Sequence, residues 1–304
     1  MKLIPFLFLI CLAANAQSPY SGWFFSTRST ANGFVLDKVQ TPASAAFSLR
    51  KLRDGYTGSA IRVRRSSDNT EQDIGFDASG NLNTSSLASF VGSNSAFIVT
   101  WYDQSGNGIN LTNTTTANQP RIVNAGTVDQ MGSRPSPRGD ATDFLEGSDA
   151  MGGSANEVDI FLVTNLYSFV NSSNGNTFFG LADSPRFQAN MPWSDSNIYF
   201  DVGGFTAPNR LTITGQMATN TSYQFSITHS VAQNIQRVRK NGSQIGNDGT
   251  GHSIASAFTR VSRASPNGIQ GYYPEVIFFK GLVSDNEREV IERHQGAYYG
   301  ITIN

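Results

Sequence analysis

Hydrophobic and polar residues alternate with a period of two along most of the chain. Ile61-Arg62-Val63-Arg64 is the shortest clear run, and longer ones cover 96–102, 158–167, 176–181 and 197–202. The pattern returns at 210–215, 222–228, 235–240 and 272–279. Period two puts alternate side chains on opposite faces of a strand, so each run predicts a strand with one face toward a core. β-Branched and aromatic residues, which suit a pleated surface, fill these runs. Gly/Asn turn signals separate them: Asp54-Gly55, Ser79-Gly80-Asn81, Asn107-Gly108, Asn174-Gly175, Asn241-Gly242 and Asn267-Gly268. Many short strands with such turns predict an all-β sandwich or jelly roll.

Two segments break the period. Asn83-Thr84 caps a short predicted helix over 85–91 that ends at Gly92. Ser284-Asp285-Asn286-Glu287 fits a capping box, in which the Ser hydroxyl and the Glu carboxylate each satisfy a free backbone N–H. Val290, Ile291, His294 and Tyr298 then share one helical face, and Gly300 closes the helix. The stretch 110–143, rich in Thr, Asn, Gly and Pro, reads as long loops. No repeat or linker divides 17–304, which is expected to form one domain.

At the N-terminus, Lys2, an apolar run over 3–12 and Ala14-Asn15-Ala16 describe a secretory signal over 1–16. The run is shorter than the roughly 20 residues a membrane span needs. Export to the periplasm or the medium is expected, without membrane insertion. Cys11, the sole cysteine, would leave with that segment. A disulfide scaffold and a cysteine zinc site are thereby excluded. The 304 residues carry 22 Lys+Arg against 23 Asp+Glu, and only 15% of residues are charged. Such near-neutrality argues against nucleic-acid partners held by phosphate neutralisation. The 21 Phe and 10 Tyr argue for a large core.

Candidate chemistry is sparse. His229, His252 and His294 lie far apart, and none stands in a metalloprotease motif. His294, on the predicted apolar helix face, reads as a packed histidine. Glu157 and Asp159 stand two apart on one predicted strand face, a weak candidate for a glycosidase carboxylate pair. Alternation alone explains the pair, as the solvent face of the strand, and that reading is preferred. Asp68, Asp73 and Asp77 form a loose acidic cluster with oxygen ligands suited to calcium, but without EF-hand spacing. No cofactor is otherwise implied. Arg50, Lys51, Arg53, Arg62, Arg64 and Arg65 form the densest basic stretch, read as a solvated face paired with carboxylates.

Trp101-Tyr102-Asp103-Gln104-Ser105-Gly106-Asn107-Gly108 is distinctive. Its Y-D-Q-S-G-N-G core resembles the catalytic domain of the arabinofuranosidase B family, a concanavalin-like sandwich that removes α-L-arabinofuranosyl groups. Phe47 to Leu52, Ala60 to Asn69 and Gly268 to Val276 are also similar, and the end of the chain looks like a laminin-G-like jelly roll. The resemblance implies a concanavalin/laminin-G-like jelly-roll β-sandwich with a short internal helix and a C-terminal capping helix. It also implies a nucleophilic Glu two residues after an Asp. Asp201-Val202-Gly203-Gly204 keeps the Asp, but the nucleophile position falls on Gly203. The family's acid/base Asp, six residues before the Gln of an N-G-x-Q-G segment, falls on Ala264. The family's adjacent cysteine pair has no counterpart.

Retaining hydrolysis needs two carboxyl groups about 5 Å apart. With Gly and Ala at the family positions, no catalytic residue is assigned. The chain is expected to be a secreted carbohydrate-binding or surface-interaction protein, with a neutral polysaccharide or glycan as partner. Trp193 offers a ring face for a sugar, and Asp201, Asp195 and Asp103 offer acceptors. Asp183 is a further displaced carboxylate. An active arabinofuranosidase-like hydrolase on plant or algal polysaccharide is the alternative. A structural or adhesive sandwich with no sugar ligand is the third reading.

Overall fold

The computed structural model describes residues 33–169, 176–263 and 268–304. The signal-like segment 1–16 and Ala264 lie outside the described residues. In chain order the first elements are β1 (Ala45–Ser48), β2 (Ile61–Arg65), β3 (Glu71–Ile74), α1 (Thr84–Val91) and β4 (Ala96–Trp101). Short strands follow: β5 (Leu111–Thr112), β6 (Arg121–Asn124), β7 (Thr127–Val128), β8 (Gln130–Met131), β9 (Arg134–Pro135), β10 (Arg138–Asp140) and β11 (Phe144–Gly147). Longer ones come next: β12 (Glu157–Leu166), β13 (Thr177–Asp183), β14 (Arg186–Asn190), β15 (Asn197–Val202) and β16 (Arg210–Thr214). The chain ends with β17 (Ser222–Ser230), β18 (Ile235–Lys240), β19 (Ser243–Asp248), β20 (Thr259–Ser262), β21 (Gln270–Lys280) and α2 (Asp285–Tyr299).

Strand pairing builds two layers. The front layer runs β3–β2–β4–β5–β11–β20–β13–β14–β15–β16. The back layer runs β19–β18–β17–β12–β21, with β1 and β10 side by side on the far edge of β21 and β6–β7 beyond β10. β4 pairs with both β5 and β6, so the layers join there. At the opposite side, Gly246 of β19 leaves room for Ile213 of β16, and the sandwich nearly closes. Phe47, Trp101, Phe179, Phe187, Phe200 and Phe278 fill the space between the layers.

The predicted strands are all present. The stretch 110–143 corrects the expectation of long loops: it holds β5 to β10. β5, β7, β8 and β9 have only two residues each, and β9 and β10 carry Pro, Gly or charged side chains, so their pairing is set by the neighbours rather than by alternation.

Both helices start and stop as expected. The Asn83 side chain accepts from Ser86 N, and the Ser284–Glu287 capping box is complete. Gly300 closes α2 at φ 70°, a left-handed position suited to Gly. The buried face of α2 differs from the predicted one. It holds Arg288, Ile291, Glu292, Gln295 and Tyr299, while Val290 and Tyr298 are only half-buried. The helix covers the outer face of the back layer, and that face offers polar partners. Glu292 meets Ser226 and Arg239, and Gln295 meets Gln224 and Glu275.

Candidate functional site

The Y-D-Q-S-G-N-G segment staples the fold. Asp103 is buried, and its carboxylate accepts from Ala46 N, Ser105 N, the Ser105 hydroxyl and Ile109 N. Gln104 ties the loop to β1: its amide donates to Ser48 O and Arg50 O and accepts from Leu52 N. Asp103 is therefore not an open acceptor for a sugar or a metal, which corrects its candidacy.

The charged face lies elsewhere. Directly paired residues form a row across the outer face of the front layer, from Glu146 through Arg260, Gly180, Gln188 and Asp201 to Arg210. At one end, Arg260 bridges two partly exposed carboxylates, Glu146 and Asp183. Arg263 reaches Asp183 at 3.8 Å and Gln188 Oε1 at 3.3 Å. At the other end, Arg210 grips Asp201 with two hydrogen bonds of 2.6 and 2.8 Å, and Arg186 adds a third at 3.2 Å. Each of these guanidiniums also lies against an aromatic ring: Arg210 sits 4.1 Å from the Tyr199 centroid and Arg186 5.3 Å from that of Phe205. Phe205, 62% exposed, is the one large hydrophobic exposed among the described residues.

Asp201 is fully buried with both oxygens occupied, so the expected open acceptor is instead the anion of a buried ion cluster. Trp193 is half-buried at the β14–β15 turn, where its N–H donates to Asn197 O and its carbonyl accepts from Ser196 N. Asp195 stands exposed on the same turn and accepts from the Tyr199 hydroxyl and from Asn197 N. Partial burial works against its charge, but these bonds outweigh it and hold the carboxyl below its usual range. Contacts through Arg210 and Arg186 thus link Asp195, Tyr199, Asp201 and Phe205, while Trp193 shares only the turn that carries Asp195. Glu146 and Arg260 complete that face but lay outside the sequence reading, because only pairing with β20 places Glu146 beside the rest.

Gly203 follows β15. Its φ is +91°, in the region that favours glycine, and its N–H donates to Arg186 O at 2.7 Å. A Cβ there would meet only ordinary contacts, at 3.5–3.6 Å from Asn209 and His252. The backbone conformation, rather than space, disfavours a side chain.

The other candidates disperse. Asp159 is buried, accepts from the Thr228 hydroxyl and Val283 N, and is pushed up to about 6 by burial. The strand face carrying Glu157 and Asp159 was expected to meet solvent. The segment entering α2 covers it, and Glu157 accepts from Ala232 N, so the pair anchors structure rather than flanking a cleft. Asp68 pairs with Arg65, Asp73 with Arg62, and Asp77 closes a turn through Ser79 N and Asn81 N. The three do not converge as a calcium site would require. Among the described residues no group of three His, Cys, Asp or Glu side chains does so.

Arg50, read as part of a solvated basic face, is buried in an ion pair with Glu275. Burial pushes the Glu275 carboxyl up, but the Arg50 charge and its N–H donors outweigh that and hold it low. His294 is packed as expected, between Arg50 Nη1 and Gly33 O.

The family model for the catalytic domain of α-L-arabinofuranosidase B matches residues 35–137. That segment holds β1 to β9 and the Asp103 staple, and it ends before the charged face. No curated protein matches the chain by sequence. A GH54 α-L-arabinofuranosidase soaked with a cyclic sulfate inhibitor has the same fold, with a TM-score of 0.63 at 15% identity over 86% of this chain. An arabinofuranosidase complexed with arabinofuranosyl-α-1,2-xylobiose gives 0.60 at 15% identity, also over 86%. This chain spans 63% of the length of each of those two chains.

Proposed function

Taking the arabinofuranosidase B-like jelly roll as the premise, we propose that this is an exported saccharide-binding protein that does not use the family's hydrolytic pair. The observation that carries the reading is the state of β15 and its end. Asp201 is neutralised by Arg186 and Arg210, and Gly203, where the resemblance puts a nucleophile, holds a left-handed φ. Neither position offers a carboxylate to an anomeric carbon, and retaining hydrolysis needs one there.

What remains suits recognition. Phe205 and the half-buried Trp193 offer apolar ring faces, while Asp195 and the exposed edges of Arg186 and Arg210 offer hydrogen bonds. Sugar rings present one apolar face and a rim of hydroxyls, and an arrangement of this kind complements both. Affinity electrophoresis on arabinan, arabinoxylan and neutral galactans tests the reading. Retardation by at least one polymer is expected, without release of reducing sugar. Phe205→Ala and Trp193→Ala are expected to abolish it, and unchanged retardation in both variants overturns the assigned surface.

A second reading keeps hydrolysis. Glu146 and Asp183 are partly exposed carboxylates that meet on one guanidinium, Arg260, and they would form a displaced pair. Release of nitrophenol from an arabinofuranoside, lost in Glu146→Gln and Asp183→Asn, favours this reading over binding alone.

A further inference from the structure

A cavity of about 300 Å³ opens at the corner where β4 leaves β6 for β5, apart from the charged face just described. Such a volume stands at the lower end of the roughly 300–1,000 Å³ typical of small-molecule pockets, enough for one ring. Phe97, Arg121, Arg138, Asp140 and Asp143 are among its lining residues.

The polar groups there are unevenly committed. Arg121 is held by Asp129 at 2.7 and 2.9 Å. Arg138 stacks on the Tyr167 ring at 4.4 Å and donates no hydrogen bond to a described residue, which leaves its donors open. Asp143 is 5% exposed and stands beside the exposed Asp140 carboxyl, which accepts from Thr142 N and the Thr142 hydroxyl. Two neighbouring carboxyls resist double ionisation, because like charges repel. Burial, reinforced by Asp140, accordingly pushes Asp143 up to about 8. The open Arg138 guanidinium thus shares the lining with two carboxyls, of which Asp143 resists ionisation, and Arg121 is already paired with Asp129. The lining is therefore balanced, rich in both donors and acceptors, and bounded on one side by the Phe97 ring.

We propose that this corner cavity is a second saccharide subsite, taking a single neutral sugar ring whose hydroxyls bond the Arg138 guanidinium and the Asp140–Asp143 carboxyl pair. A hydroxyl both donates and accepts, so it matches a mixed lining that a bare cation or anion does not. The arginines disfavour a divalent metal, and the carboxyls disfavour a uronate. The inference rests on the saccharide-binding reading and adds to it a site for one residue of the glycan.

The test uses saturation-transfer NMR and calorimetry with neutral aldopentoses, neutral aldohexoses, a hexuronate and calcium. The variants are Asp140→Ala and Ala117→Trp, both at exposed positions, the second placing an indole beside the cavity mouth. Melting curves establish that they fold. Binding of at least one neutral sugar is expected, weakened by about tenfold or more in both variants, as loss of a charge-assisted hydrogen bond or of access implies. Trp193→Ala and Phe205→Ala remove the first surface, so the neutral-sugar binding that survives in them belongs to the corner and is expected to be lost when Asp140→Ala is added. Equal affinity in wild type and both variants overturns the subsite. So does calcium or hexuronate binding that Asp140→Ala removes in the absence of neutral-sugar binding. Polysaccharide retardation without any monosaccharide binding overturns the subsite alone, whereas loss of both removes the saccharide-binding reading as well.

Discussion

Gly203→Ala separates conformation from space at the position where the resemblance puts a nucleophile. An added Cβ would sit 3.5 Å from Asn209 Oδ1, 3.6 Å from Asn209 Cγ and 3.6 Å from His252 Cβ, so no steric clash is introduced. The cost is conformational. A φ of +91° is fixed by the N–H bond to Arg186 O and by the turn that follows β15. Holding a residue other than glycine at such a φ costs about 1–3 kcal/mol. Alanine also restricts the unfolded chain, which returns about 0.4–1 kcal/mol. The net expectation is a loss of roughly 0.5–2 kcal/mol, or a few degrees in melting temperature for a domain of this size. Gly75→Ala is the control, since Gly75 has neither a positive φ nor a neighbour within 4 Å of an added Cβ. It is expected to be neutral or stabilising by up to about 1 kcal/mol. Urea unfolding of both variants at one pH measures the difference. A Gly203→Ala protein as stable as the Gly75→Ala control refutes the argument. The position would then accept a side chain freely, and Gly203→Glu would become a plausible route back to hydrolysis.

Arg50→Met leaves the buried Glu275 without its cation and is expected to cost about 3–5 kcal/mol, while the double variant with Glu275→Leu recovers part of that loss in the same unfolding assay. His294 is held neutral, chiefly by burial and then by Arg50, with its folded pKa below the unfolded 6.5. Stability from this residue is therefore present above about pH 6.5 and lost as pH falls, so His294→Gln should gain melting temperature relative to wild type between pH 7 and pH 5. Asp143 has the opposite sign. Its folded value near 8 lies above the ordinary 3.8, so its contribution is complete below about pH 4 and is lost as pH rises through about 8. Asp143→Asn keeps a neutral, hydrogen-bonding group, and its melting temperature should climb relative to wild type from pH 4 to pH 8 and then level off. Phe205→Ala should leave the melting temperature unchanged, because a ring 62% exposed gives little to the core.

Local chemistry alone determined much of this protein. Alternation located the long strands, Asn83 and the Ser284–Glu287 box fixed where the helices begin, and Gly92 and Gly300 fixed where they end. Those features depend on residues within one turn or one strand, so a linear reading reaches them. The Y-D-Q-S-G-N-G block also pointed to the right fold, because Asp103 and Gln104 build the staple between the β4 end and β1. What sequence could not give was which faces are covered. The α2 segment lies over β12 and β21; it turns Asp159 from an apparent surface carboxylate into a buried anchor and buries Glu275 with Arg50. The hairpin of β14, β15 and β16 brings Arg186 and Arg210 onto Asp201, so a candidate sugar acceptor is already satisfied. Glu146, Asp183 and Arg260 meet only because strands distant in sequence pair in register. The tertiary structure decided the site, since a charged side chain's role follows from its partners and its exposure to water, and strand pairing and helix packing choose those partners.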